Sequence, residues 1–162
     1  MNIYVADITD IDGIAPLIAK FRVELKGYKG ITYDENIEAA KAEFMEYISA
    51  NFPIFIFKDE DQYLGYLVCR VDAPTVWAES IYVLEEHRRR GIASALFGEA
   101  ERLAASYGEE TLYNYVHPNN DGMIAFLNKK GYNVLNLIEI RKKYAGELTR
   151  ERISVRNGEF NY

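Results

Sequence analysis

The apolar positions fall into two textures. From Asp10 onward, Ile11, Ile14, Leu17, Ile18, Phe21 and Leu25 keep helical spacing, which predicts a first helix with Asp10 as its cap and GYKG (Gly27 to Gly30) as its end. Ile37, Ala40, Phe44 and Ile48 predict a second helix from about Asn36 to Ala50, with Asp34 ahead as a cap and Asn51 and Pro53 as the stop. Ile3 to Ala6 is a short strand before them. The texture then changes to PIFIF (Pro53 to Phe57), YLGYLVCRV (Tyr63 to Val71) and VWAESIYV (Val76 to Val83), joined by KDEDQ and DAPT. Short polar turns between apolar runs predict an antiparallel meander.

Helical spacing returns at Ala93, Leu96, Phe97, Ala100, Leu103 and Ala104, with Gly108 where a C-terminal glycine belongs. TLYNYVHP (Thr111 to Pro118) reads as a strand parallel to its predecessor, because a helix crosses between them. Asn119 or Asn120 caps a short helix carrying Met123, Ile124, Phe126 and Leu127, closed by Gly131. The tail, YNVLNLIEIRKKY and RISVRNGEFNY, alternates like strands. No repeat or linker divides the chain. The pattern predicts one α+β domain over residues 1–162, built on a mixed sheet.

Composition narrows the class. With 162 residues the chain is long enough for a core, and a net charge of −6 argues against general nucleic-acid binding. Acidity suits a cationic substrate as well as a merely solubilised surface. One cysteine, Cys69, permits no intramolecular disulfide, and no apolar run approaches a membrane span. The N-terminus lacks the basic start and long apolar run of a signal peptide, so a cytoplasmic protein is expected.

Against this acidity, Arg88, Arg89 and Arg90 stand together before Gly91, between a strand and a helix. The first turn of a helix presents unpaired N–H groups and the positive end of its dipole. Gly91 leaves room for close approach, and Ala93 and Ser94 keep the turn small. With the arginines this makes a diphosphate site; the plain alternative is a solvated basic turn. No Gly-Lys-Ser/Thr is present for a P-loop, and the glycine spacing of a dinucleotide fold is missing.

IYVLEEHRRRGIASAL (Ile81 to Leu96) resembles motif A of the Gcn5-related N-acetyltransferase (GNAT) superfamily, Arg/Gln-x-x-Gly-x-Gly/Ala, met by Arg88, Gly91 and Ala93. VHPNNDGMIAFLNKKGY (Val116 to Tyr132) resembles motif B, with Val116, Pro118, Asn120, Ile124, Phe126, Lys129, Gly131 and Tyr132 in register. The element order fits nearly the whole chain. The resemblance implies a mostly antiparallel mixed sheet with a parallel splayed strand pair, flanked by four helices, and acetyl-CoA as cosubstrate.

Carried over residue by residue, Arg88, Arg89, Arg90, Gly91, Ile92, Ala93 and Ser94 would cradle the pyrophosphate. Ile81, Tyr82 and Val83 would pair their backbone with the pantetheine arm, and Asn120 would lie near its sulfur end. The implied reaction is direct transfer of acetyl from a thioester to a primary amine, or else acyl-CoA binding without catalysis. An amine of pKa ~10 is protonated at neutral pH and needs a base. Glu79, taken to share strand parity with Ile81 and Val83, is the candidate; an ordinary strand glutamate meeting solvent or an arginine is the alternative. A backbone N–H near Val83 could steady the thioester oxyanion.

The chain departs from motif B at Leu127, where many members carry a tyrosine that protonates the leaving thiolate. Either the thiolate leaves unprotonated, or another donor such as Tyr82, Tyr113 or Tyr115 serves, or activity is reduced. Tyr132 reads as core. His87 and His117 lack the partners of a metal site, and Cys69 reads as a small buried residue. Tyr28 and Tyr33 fall in the loop where this superfamily often builds its acceptor pocket, and Glu24, near the end of the first helix, could meet an acceptor amine, though surface and packing roles fit each as well. The tail could add an edge strand or pair with a second subunit, so a homodimer is expected.

Overall fold

The computed structural model describes residues 2–143, 145–146, 149 and 151–161. They divide into two compact units, Met1–Phe126 and Leu127–Tyr162.

The first unit is built on a five-stranded sheet in sequence order: β1 (Asn2–Val5), β2 (Ile54–Asp59), β3 (Gln62–Asp72), β4 (Thr75–Val83) and β5 (Tyr113–Asn114). The first three pairings are antiparallel, the second and third forming the predicted meander, and β4 pairs with β5 in parallel. Ile54 to Phe57 are all buried because both faces of the sheet are covered. On one face Phe21 of α1 (Ile11–Tyr28) meets Tyr66 and Tyr82, with ring centroids 6.5 and 6.4 Å away. On the other, Gly65 backs onto Val83 and onto Ile92 of α3 (Ile92–Ser106). α2 (Ile37–Ser49) packs on α1. Ile14, Ile18, Phe44, Ile56, Tyr66, Leu96 and Phe97 form the fully buried centre.

The caps differ from expectation. Asp7, not Asp10, opens the first helical segment: its carboxylate accepts from the Thr9 N–H at 2.7 Å, in a capping box with Asp10. Asp10 is buried instead. Its carboxylate accepts from the hydroxyls of Tyr4 and Tyr63, each at 2.7 Å, and from the Asp7 N–H at 3.0 Å. Three donors satisfy a carboxylate that burial alone would penalise. At α2, Asn36 rather than Asp34 caps, accepting from Ala39 N–H at 2.9 Å. At α4 (Asp121–Lys129) the cap is Asn120, which accepts from Met123 N–H at 3.0 Å.

In the second unit residues 152–161 form a two-stranded sheet of their own rather than a strand added to the five-stranded one. They fold as β6 (Arg152–Val155) and β7 (Gly158–Asn161), an antiparallel hairpin turned at Arg156 and Asn157. The alternation of residues 133–143 forms no strand among the described residues, and Val134, Leu135, Leu137 and Ile140 are exposed. Tyr132 is half-buried rather than core, and Leu127 is buried.

Candidate active site

The site begins where two strands part. β5 touches β4 only at Trp77↔Tyr113 and Ala78↔Asn114, so among the described residues the edge of β4 from Glu79 to Val83 faces no strand. The sequence predicts a longer fifth strand. Only Tyr113 and Asn114 hold the ladder, and the chain beyond diverges.

The parity argument for Glu79 fails at a bulge. Val68 faces Ser80 and Cys69 faces Ala78, so Glu79 is an extra residue in the ladder. Ile81 and Val83 pair with Leu67 and Gly65, on the α3 side. Glu79 instead turns toward Arg70, its Oε2 lying 3.8 Å from Arg70 Nη1. That Oε2 is shielded from solvent and bonded to no donor among the described residues.

Beyond Val83 the chain makes a single 3-10 turn, with His87 N–H donating to Leu84 O and Arg88 N–H to Glu85 O. Arg89 and Gly91 then adopt left-handed φ values of 64° and 85°. The first bond of α3 runs from Ala95 N–H to Gly91 O, and among the described residues the N–H groups from Arg89 to Ser94 have no acceptor. Six free amides in succession, bent by two left-handed residues and ending on a helix N-terminus, form an anion nest. An added Cβ at Gly91 would meet nothing within 4 Å, so the space beside Gly91 is open.

The three arginines do not act alike. All three are exposed. Arg88 folds back: its Nε donates to Val83 O at 3.0 Å, its Nη2 to Glu24 at 2.5 Å, and its guanidinium lies 5.3 Å from the Tyr82 ring centroid. Burial opposes the guanidinium's charge, but the bond to Glu24 and that carboxylate's charge outweigh it and raise the pKa. Glu24 also accepts from the Tyr28 hydroxyl at 2.6 Å. Burial, then Glu24, push the Tyr28 pKa up.

A cavity of about 420 Å³ opens between α1 and this turn. Glu24, Glu35, Glu85 and Glu86 line it, with Lys20, Arg88 and Tyr82. Its balance is acidic. Tyr33 lies outside it, 5.8 Å under Lys26 Nζ. Burial raises the Tyr82 pKa against the opposing pull of Arg88, so its hydroxyl keeps its proton at neutral pH.

The comparisons decide the family. The model of the acetyltransferase (GNAT) family matches residues 21–132. This chain belongs to the GNAT family. It is therefore an N-acetyltransferase by family, on a mixed α/β fold. A search of curated proteins finds no match. Among solved structures the chain is similar to AAC(6')-Iy in complex with a CoA-based bisubstrate analogue, at 19% identity and TM-score 0.69, covering 88% of this chain and 98% of that one. It is also similar to the aminoglycoside 6'-N-acetyltransferase AAC(6')-Ig from Acinetobacter haemolyticus, at 19% identity and TM-score 0.66, covering 89% and 99%. A ribosomal-protein-alanine N-acetyltransferase from Brucella melitensis biovar Abortus 2308 aligns at 15% identity and TM-score 0.68, covering 89% and 100%.

Within this GNAT chain, the expected phosphate turn and the end of β4 are neighbours in one loop, and Asn120 caps the next helix. Cys69 is fully buried, and burial pushes its thiol up to about 12, which fits a packing role. No group of three His, Cys, Asp or Glu among the described residues is disposed to hold a metal ion. No helix is long and apolar enough to cross a membrane among the described residues. Two ring contacts escaped the sequence reading. Trp77 stacks on Tyr115 with centroids 4.7 Å apart, and Tyr28 stacks on His117 at 6.1 Å. Alternate spacing of Tyr113, Tyr115 and His117 was their only signal in the sequence.

Proposed function

We propose that this GNAT chain, acting as one domain, transfers acetyl from acetyl-CoA to a primary amine that carries positive charge. The observation that carries the reading is the run of six free amides from Arg89 to Ser94, with open space beside Gly91. These amides, with Arg89 and Arg90, receive the pyrophosphate, while the unpaired edge of Ile81 to Val83 takes the pantetheine arm as an added strand. Asn120 contacts the cofactor toward its sulfur.

Holding amine and thioester together supplies much of the rate. Glu79 takes a proton from the amine, directly or through water. The neutral nitrogen bonds to the thioester carbon, the C–S bond breaks, the thiolate leaves with the electron pair, and the second N–H proton passes to water as the neutral amide forms. Its thiol, of ordinary pKa ~8.5, makes a tolerable leaving group without a donor at Leu127. Glu24 and Glu35 are paired with Arg88 and Lys20, and the remaining glutamates of the cavity, Glu85 and Glu86, favour a cationic acceptor over a neutral one.

Release of free thiol from acetyl-CoA in the presence of an amine tests the reaction. Glu79→Gln should lower turnover on the order of a hundredfold while acetyl-CoA still binds. Unchanged turnover would remove Glu79 from the role. A protein that holds CoA and releases no thiol with any amine would be a binding module. We also propose that the chain forms a homodimer through the exposed Val134, Leu135, Leu137 and Ile140, as a cytoplasmic enzyme with neither a nucleic-acid nor a membrane partner. A clean monomer in sedimentation at tens of micromolar would exclude the dimer.

A further inference from the structure

β5 and the chain beyond it place a row of rings beside the point where β4 and β5 part. Tyr113, Tyr115 and His117 alternate along the chain. Trp77 of β4 meets Tyr113 at 4.9 Å and lies nearly parallel to Tyr115, 8° between planes. Arg70 holds the Trp77 ring, with its guanidinium 5.3 Å from the centroid. The row lies on the α1 side of the sheet, since Trp77 pairs with Arg70, which shares its face with Tyr66, and Tyr28 of α1 stacks on His117. Tyr115 is nevertheless 59% exposed.

An exposed tyrosine held against a braced tryptophan is a rigid π-surface, and a ligand that stacks on it orders little further. Glu79 follows Trp77 by two residues, about 6 Å along the strand at ~3.3 Å per residue. Its Oε2 lies 3.8 Å from Arg70 Nη1 and accepts no hydrogen bond among the described residues. A flat surface and a carboxylate with unused hydrogen-bonding capacity therefore lie one short linker apart.

We propose that Tyr115, braced by Trp77, selects acceptor amines carried on a flat ring, with the ring on Tyr115 and the amine nitrogen at Glu79. The proposal rests on the acetyltransferase reading and names its acceptor class: an arylalkyl amine in preference to a linear alkyl amine or polyamine. A linear chain has no ring to stack on the π-surface and draws mainly on the carboxylate.

Trp77 is the only tryptophan in the chain, so intrinsic fluorescence reports on this row. The protein is first saturated with CoA, with binding confirmed by calorimetry. It is then titrated with 2-phenylethylamine, n-butylamine and 1,5-diaminopentane, and Trp77 emission is followed. The expected result is a saturable change with 2-phenylethylamine, at a Kd at least tenfold below that of either linear amine. In Tyr115→Leu, which keeps apolar bulk and loses the ring, that preference should fall to within about threefold while the Kd for CoA stays unchanged. Equal affinity for the three amines, tighter binding of the diamine, no response of Trp77, or a preference that survives Tyr115→Leu would each overturn the proposal. Failure of CoA itself to bind would instead strike the acetyltransferase reading on which it rests.

Discussion

Gly91 separates backbone strain from charge at the proposed phosphate site. Its φ of 85° lies where L-residues are strained, and an added Cβ would meet nothing within 4 Å. Gly91→Ala therefore brings strain without a clash, about 1 kcal/mol. In a chain of this size that lowers Tm by roughly 2–4 °C. Gly91→Glu carries the same strain and adds a negative charge. Placed about 7 Å from a doubly charged diphosphate, in an effective dielectric of roughly 40, that charge is repelled by about 2 kcal/mol. The Glu variant should then melt within a few degrees of the Ala variant yet bind acetyl-CoA roughly thirtyfold more weakly. Calorimetric titration and thermal melts of the two variants side by side read both quantities, and raising the salt should narrow the affinity gap. Equal affinity of the two variants for acetyl-CoA would refute the nest as the phosphate site, because charge there would then be irrelevant.

Phe97 is fully buried and meets Phe126 edge-on at 5.4 Å, so Phe97→Ala should destabilise by about 3–5 kcal/mol, seen as a Tm drop on the order of 10 °C. Burial, then Lys29, hold His117 below its ordinary value, so its NMR titration midpoint should fall below 6.5. Its folded pKa is the lower one, so the unfolded chain binds that proton more readily. Its contribution to stability is thus present above the unfolded pKa, ~6.5, and is lost as pH falls through the folded value.

The helices and the meander were legible because each buries a continuous stripe: Ile14, Leu17 and Ile18 on α1, and Ile54 to Phe57 on β2. The turn before α3 was legible because Gly91 and the arginines are local features. Features set by competition between neighbours were not. Asp7 and Asp10 could each cap, and the two tyrosines that take up Asp10 come from Tyr4 and from Tyr63, far along the chain. The bulge at Glu79 leaves no trace in VWAESIYV, because one extra residue in a ladder depends on the strand opposite. Likewise the turning of Arg88 toward Glu24 joins residues 64 apart in sequence.

The central claim is that the amides from Arg89 to Ser94 receive the diphosphate of acetyl-CoA. Calorimetric titration of the unaltered protein with acetyl-CoA, and separately with NAD, tests it most directly. The account predicts one-to-one binding of acetyl-CoA in the micromolar range and none of NAD at the same concentration. No heat with acetyl-CoA, or tighter binding of NAD, would contradict it and leave Arg88 to Gly91 as a basic turn.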